Sequence, residues 1–212
     1  MSGDGKFFLG VAVAAVLAIV AFFVFSSGSS GEVVDVDEAI GHKLGSDDAK
    51  VKIVEFGDFQ CPACRAAAEP LKTAYENNKE NVQLIYRHIP LSIHPNADEA
   101  ALASEAAAFQ GKFWEMYDIL YAQQDSWANL QDPKNQFEVY AQALGLDLDK
   151  YKSDYSSSAA KDNVKRDEEA SVAAGVNSTP TFFVNGEKIT GALNIDQWQE
   201  IIDEKLANAK NE

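Results

Sequence analysis

The stretch VKIVEFGDFQCPAC, residues 51–64, decides the architecture. Val51 to Phe59 is rich in β-branched and aromatic residues and is predicted to be a strand. Val51 and Ile53 fall on one face and Val54 and Phe56 on the other, so the strand is expected to be central in its sheet. Cys61 then opens a helix. Pro62 suits the first helical position, and Ala66, Ala67, Ala68 and Leu71 continue the helix.

Outward from this unit, Gly41 to Lys50 holds turn residues, and Asn81 to His88 is a second predicted strand. Helical patterns follow over Asp98–Phe109, Lys112–Ala122, Pro133–Leu144, Asp147–Tyr155 and Ala160–Ala174, with Gly111, Gly145 and Gly175 placed to stop helices. Trp114, Tyr117 and Tyr121 recur at helical spacing and are expected in the core rather than in a groove. Strands return at Thr181–Val184 and Glu187–Thr190, joined by an Asn185-Gly186 hairpin turn. Asp196 to Ala209 closes the chain as an amphipathic helix with Trp198, Ile201, Ile202 and Leu206 inward. The order strand–helix–strand, helical block, strand–strand–helix predicts an α/β thioredoxin core interrupted by a helical insertion.

The chain has two cysteines, Cys61 and Cys64, in a C-x-x-C at the strand-to-helix junction. A cysteine at a helix N-terminus meets free backbone N–H groups and the positive end of the helix dipole, which stabilise a thiolate. Cys64 lies nearly one turn on, close enough for a small disulfide. The thiolate is the attacking species in thiol–disulfide exchange. An inert local disulfide and half of a metal site are the competing readings. His42, His88 and His94 lie outside the motif and no second C-x-x-C exists, so redox chemistry is favoured and no metal ligand is assigned. Glu55 sits inside the apolar strand between Val54 and Phe56, where burial is expected. A buried carboxylate beneath the cysteines would have a raised pKa and could exchange a proton with Cys64. Pro180, in Ser178-Thr179-Pro180-Thr181, precedes an interior strand. A proline there invites a cis bond, and an ordinary turn proline is the other reading.

Phe7 to Phe25 is a run of 19 uncharged, mainly apolar residues. As a helix it spans about 29 Å, close to the hydrocarbon thickness of a bilayer. It ends without a small-x-small cleavage pattern, so one N-terminal transmembrane signal anchor is expected. Lys6 before the run and the acidic residues after it place the N-terminus in the cytoplasm and the catalytic domain outside, as a single-pass protein of the cell membrane. Ser26 to Gly31 is a flexible tether. Residues 1–31 are therefore anchor and tether, and 32–212 one folded domain, with the helical insertion at about 95–175. The formal net charge of −15 argues against nucleic acid as a partner.

The set VEFGDFQCPAC, GKFWEMYDILY and STPTFFVNG resembles the DsbA-like thioredoxin family, over roughly Gly41 to Leu206. The resemblance implies that Cys61 is the exposed nucleophile and Cys64 the buried resolving cysteine, with Pro62 and Ala63 completing the active-site motif. It implies that Thr179 and Pro180 form the substrate-binding cis-proline loop, and that Glu55 is the family's buried acid. Ala63 stands where strong oxidases of the family often carry histidine, and Ser178 where glycine is frequent. The implied function is an oxidase that donates the Cys61–Cys64 disulfide to thiols of exported proteins. The implied chemistry uses no cofactor beyond that disulfide and leaves room for a membrane redox partner. The alternatives are a disulfide isomerase or reductase, and a soft-metal binding or delivery module using the two thiols.

Overall fold

The computed structural model describes Val34 and residues 36–210. Among the described residues, five strands form one sheet in the order β1-β3-β2-β4-β5. They are β1 (His42–Leu44), β2 (Val51–Gly57), β3 (Val82–His88), β4 (Thr181–Val184) and β5 (Glu187–Thr190). β2 is central as expected, parallel to β3 and antiparallel to β4. The parallel pair is joined by helix α1 (Pro62–Asn78), because parallel strands need a long crossover. Between β3 and β4 the chain forms α2 (Ala97–Ala108), α3 (Phe113–Ala122), α4 (Gln124–Trp127), α5 (Lys134–Ala143), α6 (Leu148–Tyr155) and α7 (Ser158–Ala173). Helix α8 (Ile195–Asn208) follows β5.

Local chemistry accounts for these boundaries. Cys61 is the N-cap of α1 and Pro62 its first residue. Pro lacks the N–H that would be unpaired there, and its φ is already helical. Gly111 and Gly145 follow α3's preceding helix and α5 with φ of 72°, the left-handed conformation that ends helices. The Asn185-Gly186 turn has both residues at positive φ, which matches the twist of the hairpin it closes. In α1, Cys64, Ala67, Ala68, Leu71, Ala74 and Tyr75 are buried, one stripe at helical spacing.

Three apolar clusters hold the layers together. α1 and α8 cover one sheet face, where Ile53, Leu71, Val82, Phe182 and Trp198 pack. On the other face Val54, Phe56, Ile85 and Phe183 meet Ala170 and Ala174 near the end of α7. The third cluster joins the cysteines, Phe59 and Tyr86 to the helical insertion through Met116, Tyr117, Leu120, Trp127 and Phe137. Gly57, at the end of β2, faces the Tyr86 ring of this last cluster. A Cβ there would lie 2.6 Å from the Tyr86 ring, so glycine is what lets the tyrosine stand against β2.

Two parts of the sequence reading change. The Gly41–Lys50 stretch, expected to be turn, contains β1, which pairs antiparallel with the edge of β3. The single-pass membrane helix over residues 7–25, with a cytoplasmic N-terminus and an extracytoplasmic catalytic domain, is corrected. That segment lies outside the described residues, and among the described residues no helix is long and apolar enough to cross a membrane. The longest, α1, has 17 residues and carries Arg65, Glu69, Lys72 and Glu76.

Candidate active site

The two cysteines are unpaired with each other and differ sharply in setting. Cys61 is 7% exposed at the start of α1, while Cys64 is fully buried. Pro62 and Ala63, between them, are exposed. The hydrogen bond from the Cys64 thiol pulls the Cys61 pKa down to about 5, against some desolvation, with smaller help from Thr179 and the Cys64 and Ala63 backbone N–H groups. Cys64 moves the other way: burial disfavours its thiolate, and the Cys61 sulfur and the Glu55 charge push it up further. One sulfur is thus poised as a thiolate and its neighbour as a thiol.

Thr179 and Pro180 reach this pair from the loop before β4. The Thr179–Pro180 peptide bond is cis. The Cys61 sulfur sits 3.6 Å from the Thr179 carbonyl oxygen, to which it donates when protonated. Pro180 is buried and offers no N–H. The Thr179 hydroxyl is buried without a partner.

Glu55, on β2, is 2% exposed and close enough for its charge to raise the Cys64 pKa. Its Oε2 accepts a hydrogen bond from the Tyr117 hydroxyl at 3.1 Å, and its Oε1 has no partner. Burial raises its pKa to about 8, with the Tyr117 bond pulling weakly against it. At neutral pH most of it is therefore the neutral acid. Tyr117 also lines a cavity of 380 Å³ with Arg65, Lys72 and Asp118, so the carboxyl has a polar neighbour on the way to solvent.

Several residues that hold the site together were not legible in the motif. Asp58 accepts from the Gln60 N–H at 2.7 Å and the Leu91 N–H at 3.0 Å, and pairs with His94 Nδ1 at 2.6 Å. Its own N–H donates to the Cys64 sulfur at 3.5 Å and its carbonyl accepts from the Cys61 N–H at 3.1 Å. Gln124, from the short helix α4, donates to the carbonyls of Phe59 at 2.7 Å and Cys61 at 3.1 Å. The insertion thus clamps the backbone that presents Cys61. The signal for Asp58 was its place in a turn just ahead of the helix. Gln124 carried none, since it is 63 positions from Cys61.

Curated relatives include the Na(+)/H(+) antiporter NhaA 3 of Salinispora tropica, 37% identical over 186 residues, which cover 87% of this chain and 28% of the relative. The antiporter NhaA of Herminiimonas arsenicoxydans is 36% identical, covering 75% of this chain and 24% of the relative. The chain thus spans about a quarter of the length of these relatives. Proteins named as antiporters lend no support to the single-pass anchoring expected from residues 7–25. Among solved structures, a thioredoxin-like oxidoreductase from Silicibacter pomeroyi superposes with a TM-score of 0.66 at 26% identity, over 78% of this chain and 92% of that one. Oxidised BdbD from Bacillus subtilis does so with a TM-score of 0.74 at 22% identity, over 84% and 98%. α-DsbA1 from Wolbachia pipientis gives 0.70 at 20%, over 84% and 95%. Residues 38–204 match the thioredoxin family, and with a helical insertion in the DsbA-like manner the chain belongs to it.

Proposed function

We propose that this chain is a thiol–disulfide oxidoreductase that works as an oxidase, passing the Cys61–Cys64 disulfide to thiols of exported proteins. The observation that carries the reading is the opposite tuning of the two sulfurs, Cys61 down to about 5 and Cys64 up. A low-pKa sulfur is a good leaving group and stabilises the reduced form, which makes the disulfide a better oxidant. A substrate thiolate attacks Cys61 Sγ. The Cys61–Cys64 bond breaks, its electron pair goes to Cys64, and a substrate–Cys61 disulfide forms. Glu55, as the acid, protonates the Cys64 thiolate. A second substrate thiolate attacks the substrate sulfur of the mixed disulfide and releases Cys61 as thiolate. The substrate loses two electrons and the cysteine pair gains them. Thr179 and Pro180 flank Cys61 and bind the incoming chain, and a membrane redox partner takes the two electrons on.

Equilibration with glutathione tests the direction. DsbA sits near about −120 mV and thioredoxin near about −270 mV. With alanine at position 63 and no cation there, the expected potential is less oxidising than the first and well above the second. A value at or below the thioredoxin figure would overturn the oxidase reading in favour of a reductase.

A further inference from the structure

We propose that His42, His88 and Glu105 form a three-ligand site for a divalent transition-metal ion of the zinc type, separate from the cysteine pair. The residues come from three elements: His42 from β1, His88 from the end of β3, and Glu105 from α2 in the insertion. Their ligand atoms all lie within 4.8 Å of one another. His42 Nε2 is 2.6 Å and His88 Nε2 2.9 Å from the same oxygen, Glu105 Oε1. Ligand atoms around a tetrahedral zinc stand about 3.3 Å apart, given metal–ligand distances of about 2.0–2.2 Å. Each contact would have to open by less than about 1 Å.

The surroundings fit such a site better than a plain hydrogen-bond network requires. The remaining Glu105 oxygen accepts from Asn163 Nδ2 at 2.7 Å, the kind of outer hydrogen bond that fixes a ligating carboxylate. Phe113 stacks flat on the His42 ring at 3.6 Å, which sets that ring's direction. His88 and Glu105 are each 1% exposed, and the rings of Phe59 and Tyr86 pack beside His88. His42 is 20% exposed and lines a cavity of 460 Å³ with Gly41, Gly111 and Trp114, which gives an ion a way in. Two imidazoles and one carboxylate suit zinc, cobalt, nickel or iron(II) rather than calcium or magnesium. Three protein ligands leave a coordination position open on the cavity side.

The test uses the full chain with Cys61–Cys64 oxidised, so that neither sulfur can ligate. Zn²⁺ is titrated by calorimetry, and Co²⁺ by visible absorption, which reports nitrogen and oxygen ligation in a low-symmetry site. One equivalent is expected to bind, and binding is expected to vanish in His42→Ala and Glu105→Gln. Asn163→Ala should weaken it about 10–100-fold. Absence of saturable uptake by the unmutated chain, or uptake unchanged in His42→Ala, overturns the site. His42 lies at the rim, so its variant stays informative even if Glu105→Gln fails to fold.

Discussion

Glu55 and Glu105 are almost equally buried, 2% and 1% exposed, one on β2 and one at the seam between sheet and insertion. Their charge states are opposite. Among the described residues Glu55 has one donor, Tyr117, and an oxygen with no partner, so desolvation wins and its pKa rises to about 8. Desolvation acts on Glu105 as well, but His42 and His88 outweigh it and hold the carboxyl well below the usual range. Asn163 donates to its second oxygen. Burial sets the cost of a charge, and the number of donors decides whether that cost is met.

The largest effect should come from emptying the better-served position. Glu105→Ala leaves two buried-side imidazoles and an asparagine without their common acceptor, and should cost about 3–5 kcal/mol in urea unfolding at neutral pH. A loss below about 1 kcal/mol would mean the seam holds without it.

Glu55→Gln should act in the other direction, and its pH dependence is specific. The folded pKa is raised above the unfolded value, so the folded state binds the extra proton between about 4.5 and 8 and loses stability as pH climbs through that window. The variant should match the parent below the window and exceed it by roughly 3–5 kcal/mol above it. Its exchange should be slower near neutral pH, since in the proposed mechanism Glu55 is the acid that protonates Cys64. Identical stability curves and exchange rates across the range would mean that Glu55 is neither ionisable in place nor used.

Tyr117→Phe should give the smallest change. It removes the one hydrogen bond that favours the Glu55 carboxylate, so the Glu55 midpoint should move upward from about 8 by about one unit. Carbon-13 titration of the carboxyl measures this, and a downward shift would contradict the assignment of the bond.

The same contrast explains what was legible in the sequence. Part of what positions Cys61 is local and was legible: the apolar strand, Pro62 at the first helical position, the three-residue step to Cys64. Glu55 could be placed because its apolar neighbours on β2 announce burial. The helix ends at Gly111 and Gly145 and the Asn185-Gly186 turn also follow from single residues. β1 was missed because three residues, His42 to Leu44, carry no period of their own and become a strand by pairing with β3. α4 is four residues long and held by Gln124 and Trp127 in the insertion, too short for any periodicity. The His42–His88–Glu105 cluster joins positions 63 and 17 apart along the chain, and no spacing rule connects them.

The contact between Cys61 and Thr179 spans 118 positions. At ribosomal rates of about 5–20 residues per second, roughly 6–24 s separate the synthesis of the cysteines from that of the loop that covers them. β4 cannot dock on β2 before the whole insertion has emerged, since long-range pairing must wait for its partner. During synthesis the cysteine pair is therefore an unshielded dithiol on a half-built sheet. Whatever first oxidises it in that interval meets it before Thr179 and Pro180 have reached Cys61.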